Sequence, residues 1–512
     1  MTHGKVRRNL IANFASSLWL SLLSLACFPL YIKYLGVEAY GLIGAFTAIQ
    51  SFSALLDAGL STTLNREVAR LSTDQRNAPV IRDFVRTLEV VYWTLSLVVV
   101  LVLAAAAPFA ARHWFHLEHL SPTEVARAIV LMGINFALTW PSTIYQGGLM
   151  GLQKQVSMNL VTFVVGGLRV VGAAVVLVAI SPTLDAFFTW QIVTSILQTG
   201  AAGVLLWREL PGDSKPHFSL VQLRSVRRFA AGVVGITLLA LLLQQSDKLI
   251  LSKIVTLSTF GYYTFAVVVA GSLARIVGPI YAVFFPRFSE LAGVGDRASL
   301  TAVYHRACQL VSVAVLPAAM VLAIFARQIL QLWTRNPDLV RNSSRLVTVL
   351  VIGNALHALV YLPYALQLAH GWTRLAFMTN LIAVTSVVPA IAISATRWGA
   401  IGAAFTWLAL TSAYVLVQVP LMHRRLLRGE LSAWYIHDVA KPFGAAAATA
   451  SAGWWLIRSI MNPIPLAMAL MVISGLTFAA AALTVPWMRI MAYSTGQRFW
   501  ARASSWRRFS SS

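Results

Sequence analysis

The sequence predicts an all-α polytopic membrane protein of about fourteen transmembrane helices. Three observations point there. Of 512 residues, 58% are hydrophobic and only 11% charged, against about 25% charged in a typical soluble domain. The apolar residues form long unbroken runs, such as Leu95–Ala107 and Val170–Ile180, not the short alternating segments of a membrane barrel. The basic residues concentrate in alternate connections between those runs. No water-soluble core could hide so much apolar surface. In lipid, only helices or closed barrels satisfy their own backbone.

A spanning helix needs about 20 mostly apolar residues. Such windows fall at 10–31, 39–60, 84–107, 126–147, 157–180, 185–206, 229–250, 260–284, 305–325, 345–368, 374–394, 400–422, 438–458 and 464–485. The first has the outline of a signal peptide, with Lys5, Arg7 and Arg8 ahead of it and Ala26-Cys27 near its end. Leu25 stands where a cleavage site wants a small residue, so the window reads as a helix that is kept. Cys27 and Cys308 both lie in apolar runs, which is no disulfide framework.

Orientation follows from Lys and Arg in the connections. With the N-terminus cytoplasmic, 27 of the 40 lie in inside segments, 10 outside and three within spans. An even number of spans then places both termini in the cytoplasm. The net charge of +23 is mostly topology, facing anionic headgroups, and predicts no nucleic-acid partner. The tail Arg498–Arg508, interleaved with Trp500 and Trp506, reads as an interfacial anchor.

Two segments repeat. Leu35-Gly36-Val37-Glu38-Ala39-Tyr40-Gly41 precedes span two, and Val255-Thr256-Leu257-Ser258-Thr259-Phe260-Gly261 precedes span eight. Each opens a span on an aromatic-Gly pair, and the spans end at Arg66 and Arg287. Copies six spans apart share an orientation, which makes a parallel repeat about an axis along the membrane normal. The expected organisation is an N-terminal six-helix lobe (1–215), a C-terminal six-helix lobe (216–430), two further helices (431–490) and a basic tail (491–512), with substrate bound between the lobes.

Arg169, Lys248 and Arg275 fall inside spans. An arginine at the bilayer centre costs roughly 2.5–3.5 kcal/mol on insertion scales, so it should face water or a partner. Intramembrane carboxylates to pair with them are scarce: Asp57 near the end of span two, and Asp247 beside Lys248. A cationic cavity short of carboxylates wants an anionic substrate, and the guanidinium fork suits phosphate. Further polar residues recur at steps of three and four, which keeps them on one helix face. They are Thr47, Gln50, Asp57 and Ser61, with Ala54 between them, in span two; Asn135, Thr139, Ser142 and Gln146 in span four; and Asn354, His357, Tyr361 and Tyr364 in span ten, while Gly271, Arg275, Gly278 and Ala282 share one side of span eight, where small residues leave room around the arginine. Interhelical hydrogen bonding is the plainer use of such faces. There is no nucleotide-binding loop, no Cys/His pattern with metal-ligand spacing and no large extramembrane loop. The expectation is a transporter without metal or cofactor, not an enzyme.

Tyr34-Leu35-Gly36-Val37-Glu38-Ala39-Tyr40-Gly41, Leu56-Asp57-Ala58-Gly59-Leu60-Ser61 and Asn65-Arg66-Glu67-Val68-Ala69 resemble the N-terminal signature of polysaccharide (O-antigen and exopolysaccharide, Wzx-type) flippases. These belong to the multidrug/oligosaccharidyl-lipid/polysaccharide exporter superfamily. Asp247-Lys248-Leu249-Ile250-Leu251-Ser252-Lys253, Phe260-Gly261-Tyr262-Tyr263 and Phe285-Pro286-Arg287-Phe288 resemble its second-half counterpart. The resemblance implies alternating access in a bacterial inner membrane. It also implies a cationic cavity for the diphosphate and sugars of an undecaprenyl-linked oligosaccharide, with a polysaccharide polymerase and a chain-length regulator as possible partners. On this reading Arg275, Arg169, Lys248, Asn354, His357 and Gln146 line the cavity, and Asp57, Asp247, Arg66 and Arg287 serve gating or coupling. A lipid II-type flippase and a cation-coupled small-molecule exporter stay open as alternatives.

Overall fold

The computed structural model describes residues 19–20, 23–57, 59–72, 74–460 and 462–490, with side chains omitted at Gln75 and 223–236. Lys5, Arg7, Arg8, the start of the first window and the whole basic tail lie outside the described residues. The elements in order are α1 (Leu23–Leu35), α2 (Val37–Ser51), α3 (Ser53–Asp57), α4 (Leu60–Leu71), α5 (Ala78–Phe109), α6 (Pro122–Thr139), α7 (Ser142–Gly151), α8 (Gln155–Ala179), α9 (Leu184–Glu209) and α10 (Leu220–Ile254). There follow α11 (Leu257–Gly271), α12 (Ala274–Val294), α13 (Arg297–Ile324), α14 (Ala326–Thr334), α15 (Pro337–Ala369), α16 (Thr373–Trp398), α17 (Ala400–Ala413), α18 (Val419–Leu426), α19 (Leu431–Ala433), α20 (Lys441–Ile457) and α21 (Pro463–Leu483). Apart from one isolated bridge between His116 and Thr256, the described residues form no β-structure.

Ten described helical segments are long and apolar enough to cross a bilayer. Their outer faces carry bare apolar side chains, such as Leu97, Leu101 and Val102 on α5, each about 60% exposed. A band of that kind suits lipid and not water. Four of the fourteen expected windows fall in helices that miss the length or apolarity a span needs. Two are only partly described (α1, and α10, whose side chains 223–236 are omitted), one is shorter (α20), and α9 carries more polar residues. The chain is therefore an all-helical multi-pass protein, and these helices do not fix the count at fourteen.

Three expected spans are broken rather than continuous. Span two kinks at Phe52, then turns into α4 at Gly59, whose φ of +77° is open to glycine at little steric cost. Span four breaks at Trp140-Pro141, because proline offers no N–H to the preceding turn. Span eight breaks at Ser272-Leu273, where the Ser272 hydroxyl donates to the Val269 carbonyl at 2.7 Å and competes with the helical ladder.

The described residues divide into two compact units. One runs through Thr264 and adds Ile391–Ala400; the other takes Phe265–Ala390 and the residues from Ile401 on. In the first, α6 packs on α5 and α9, α8 on α9, and α4 on α7. The first unit also holds the two repeated signatures against each other. A Cβ added at Gly41 would stand 2.3 Å from the Leu257 carbonyl oxygen, and one at Gly261 would stand 2.2 Å from that of Val37. Gly44 meets Thr264 a turn along, at 2.5 Å. Only residues without a side chain let two helix backbones approach so closely. In the second unit, α13 packs on α12, α15 and α20, and α20 and α21 pair with each other. Val321 and Phe325 meet Ala450, Ile457, Leu466 and Leu470 there in one apolar core.

Candidate functional site

The break at Pro141 re-aims the polar face of span four. Thr139, Ser142 and Gln146 converge with Thr47 and Gln50 of α2 and Gln198 of α9 around a cavity of about 380 Å³, which Phe136 and Trp140 also line. Amides, hydroxyls and aromatic faces alternate on its wall. Two polar faces read from the sequence thus meet at one site.

Arg169 reaches this site through a hydroxyl relay. From α8 its Nη2 donates to Ser195 Oγ at 2.9 Å and its Nε to Thr194 Oγ1 at 3.2 Å. Ser195 Oγ lies 2.7 Å from Thr139 Oγ1 on the cavity wall and 2.7 Å from Asn135 Oδ1. Every group bonded to the Arg169 guanidinium is neutral, so its charge is not cancelled locally. Asp57 stands behind the lining residue Trp140. It accepts from Tyr92, whose ring packs 4.6 Å from that of Trp140, and from Ser61 Oγ at 2.9 Å.

Other expected site residues lie elsewhere. Asp247 and Lys248 do not pair. Asp247 Oδ2 accepts from Tyr263 at 2.6 Å, and Lys248 Nζ donates to Gln245 Oε1 at 2.8 Å. Asn354 accepts from Trp407 Nε1 at 2.9 Å, while the His357 ring packs among Tyr361, Trp407 and Tyr414. Its Nδ1 is buried without a partner. Arg275 is exposed in the first turn of α12, just past the break, and among the described residues no group bonds its guanidinium. A Cβ at Gly271 or Gly278 would meet nothing within 4 Å, so the small residues do leave space along that face. Arg66 and Arg287 sit in exposed ion pairs, with Glu67 at 2.9 Å and Glu290 at 2.6 Å.

Sequence reasoning missed three carboxylate sites. Glu38, inside the first signature, is buried and accepts from the backbone amides of Glu118, His119 and Leu120 at 2.7–3.1 Å, which pins that connection. Glu89 in α5 is buried and accepts from Tyr145 at 2.6 Å, Trp207 at 3.3 Å and Arg86 at 2.8 Å. In the second unit, Asp438 is fully buried between His305 Nδ1 and Gln309 Nε2, the latter at 2.9 Å. His305 Nε2 meets Glu430 at 3.2 Å, and Trp487 donates to Gln309 at 2.9 Å. Asp438 lies on a π-helical turn, Trp434–Ala440, a rare geometry that recurs at functional sites.

Broken spans, bare apolar flanks and a carboxylate-poor polar cavity define a polytopic membrane transporter. Solved structures carry the same fold. The lipid II flippase MurJ, in an inward closed conformation, matches with a TM-score of 0.64 at 13% identity, covering 92% of this chain and 98% of its own. A multidrug resistance MATE family transporter of the MOP superfamily, inward-facing, matches with a TM-score of 0.61 at 13% identity, covering 81% and 95%. Residues 33–334 match the model of a family described as polysaccharide biosynthesis protein, and the chain belongs to that family. A Shigella flexneri protein named "Putative O-antigen transporter" is 20% identical over 385 residues, 73% of this chain and 87% of that protein. The resemblance to polysaccharide flippases of the MOP superfamily, read from the two signatures, is borne out.

Proposed function

We propose that the chain flips an undecaprenyl-diphosphate-linked oligosaccharide from the inner to the outer leaflet of a bacterial inner membrane by alternating access, with both termini cytoplasmic. The observation that carries this is Arg169, which is charged, bonded only to neutral groups and joined through Ser195 to a cavity of amides, hydroxyls and aromatic rings. Amides and hydroxyls hydrogen-bond sugar hydroxyls, and an uncompensated guanidinium favours a phosphate. Arg275 and Lys248 serve as further anion contacts, Asn354 and His357 as further polar contacts, and Asp57, Asp247, Arg66 and Arg287 as gating or coupling groups. The product passes to a polymerase and a chain-length regulator of surface polysaccharide.

The test is Arg169→Gln, with Gln146→Ala beside it, in cells dependent on this chain for surface polysaccharide. Polysaccharide should fall at least tenfold for Arg169→Gln, about 1.4 kcal/mol, while protein in the membrane stays constant. Normal polysaccharide at normal protein level overturns the assignment. The MurJ fold covers more of this chain than the MATE fold does, which favours a lipid-linked substrate and keeps lipid II as a second reading. Rescue of cells depleted of their lipid II flippase supports that second reading.

A further inference from the structure

The second unit carries a separate cationic cavity. It has a volume of about 430 Å³ and lies where α13 ends and α14 and α15 begin, walled by Ile324, Arg327, Ser344, Arg345, Val349 and Phe405. Both arginines are exposed, and among the described residues neither guanidinium bonds or ion-pairs with anything. The Ser344 hydroxyl is also unpartnered there. The nearby carboxylate is taken: Asp338 holds Arg341, one turn earlier on α15, at 2.6 Å. Thr348 donates to the Ala323 carbonyl at 2.9 Å and ties the end of α13 to α15, which fixes the spacing of the walls. The remaining wall is apolar, with Phe405 of α17 about half exposed.

Two unpaired guanidinium forks beside a hydroxyl are the donor set for a phosphate. An apolar wall continuing from those donors suits the chain attached to it. We propose that this cavity binds the phosphate of a membrane lipid. By the bias of Lys and Arg, Arg327 and Arg345 belong to outside connections, so the lipid lies in the outer leaflet. A glycerophospholipid and the diphosphate end of a polyprenyl lipid share this chemistry. Apolar wall and cationic end together distinguish it from a site for free phosphate.

Purified full-length protein and the Arg327→Gln/Arg345→Gln double variant would be titrated with phosphatidylglycerol, undecaprenyl diphosphate, diacylglycerol and inorganic phosphate. The readouts are native mass spectrometry and thermal shift. One or both phosphate-bearing lipids should bind the parent, and the double variant should lose at least tenfold in affinity, about 1.4 kcal/mol. Which lipid loses more identifies the source. Ser344→Ala should lose about threefold, close to the 0.5–1.5 kcal/mol of a single hydrogen bond. Arg458→Gln, which removes an exposed arginine stacked on Trp455, is the charge control and should bind as the parent does. Equal lipid binding by parent and double variant, equal loss in Arg458→Gln, binding of diacylglycerol as tight as that of the phosphate lipids, or inorganic phosphate stabilising as much as they do would each overturn the proposal. The double variant must melt within a few degrees of the parent without lipid. If it does not, Ser344→Ala alone decides, and unchanged lipid binding there overturns the proposal.

Discussion

The two units bury carboxylates differently. In the first, Glu89 is held by a tyrosine, a tryptophan and an arginine, and Asp57 by a tyrosine and a serine. None of these donors changes charge between pH 5 and 8. In the second, Asp438 is held by His305 and Gln309, and the far nitrogen of His305 meets Glu430. Histidine is the side chain whose charge changes in that range, and His423 and Tyr304 stand next to the cluster, 3.3 Å from each other. One network is thus built without a histidine and the other around one. What separates them is the donor the chain supplies.

Removing each anchor breaks or sharpens that contrast. The largest effect is expected for Asp438→Ala, which takes a fully buried acceptor away from the half-buried His305 and Gln309. It should cost about 3 kcal/mol, read as the greatest fall in melting temperature in detergent. Glu89→Ala should follow at about 2 kcal/mol, since it leaves the Tyr145 O–H and the Trp207 N–H without their acceptor. If Glu89→Ala proved the more damaging, the histidine network would not be the tighter one. His305→Gln keeps hydrogen-bonding capacity but cannot titrate. The stability gap between it and the parent should therefore change across pH 5–8, while the gap for Tyr92→Phe should stay flat at about 1 kcal/mol. A flat gap for both would erase the distinction. The smallest effect belongs to Arg287→Ala, whose pair with Glu290 is exposed on both sides, and should lie within about 0.5 kcal/mol.

Much of the first unit's site was legible in the sequence, because its polar residues sit mid-span where any polar group stands out. Thr47, Gln50, Thr139 and Gln146 could be placed on faces from helical spacing alone, and Arg169 was conspicuous for want of a carboxylate. The spans themselves were read as continuous. Pro141 was the visible sign that span four breaks; the Ser272 hydroxyl bond behind the break in span eight is a conformational choice that composition does not encode. Glu89, His305 and Asp438 were missed for another reason. They lie at or near the start of their apolar windows, where a charge reads as a connection residue, and their partners are remote: His305 and Asp438 are 133 positions apart. Asp247-Lys248 misled in the opposite direction. Adjacent opposite charges suggest a pair, yet neighbours on a helix point to different faces, and each found its own partner.

The seam between Gly41 and Gly261 has a genetic consequence. Most damaging core substitutions can be relieved elsewhere, because a bulkier side chain on one helix can be matched by a smaller one across from it. Here each glycine faces the carbonyl of the other helix, and a carbonyl cannot be made smaller. A selection for second-site suppressors of Gly41→Ala or Gly261→Ala should therefore return true revertants and few compensating partners. The two positions would behave as a pair that stays glycine together.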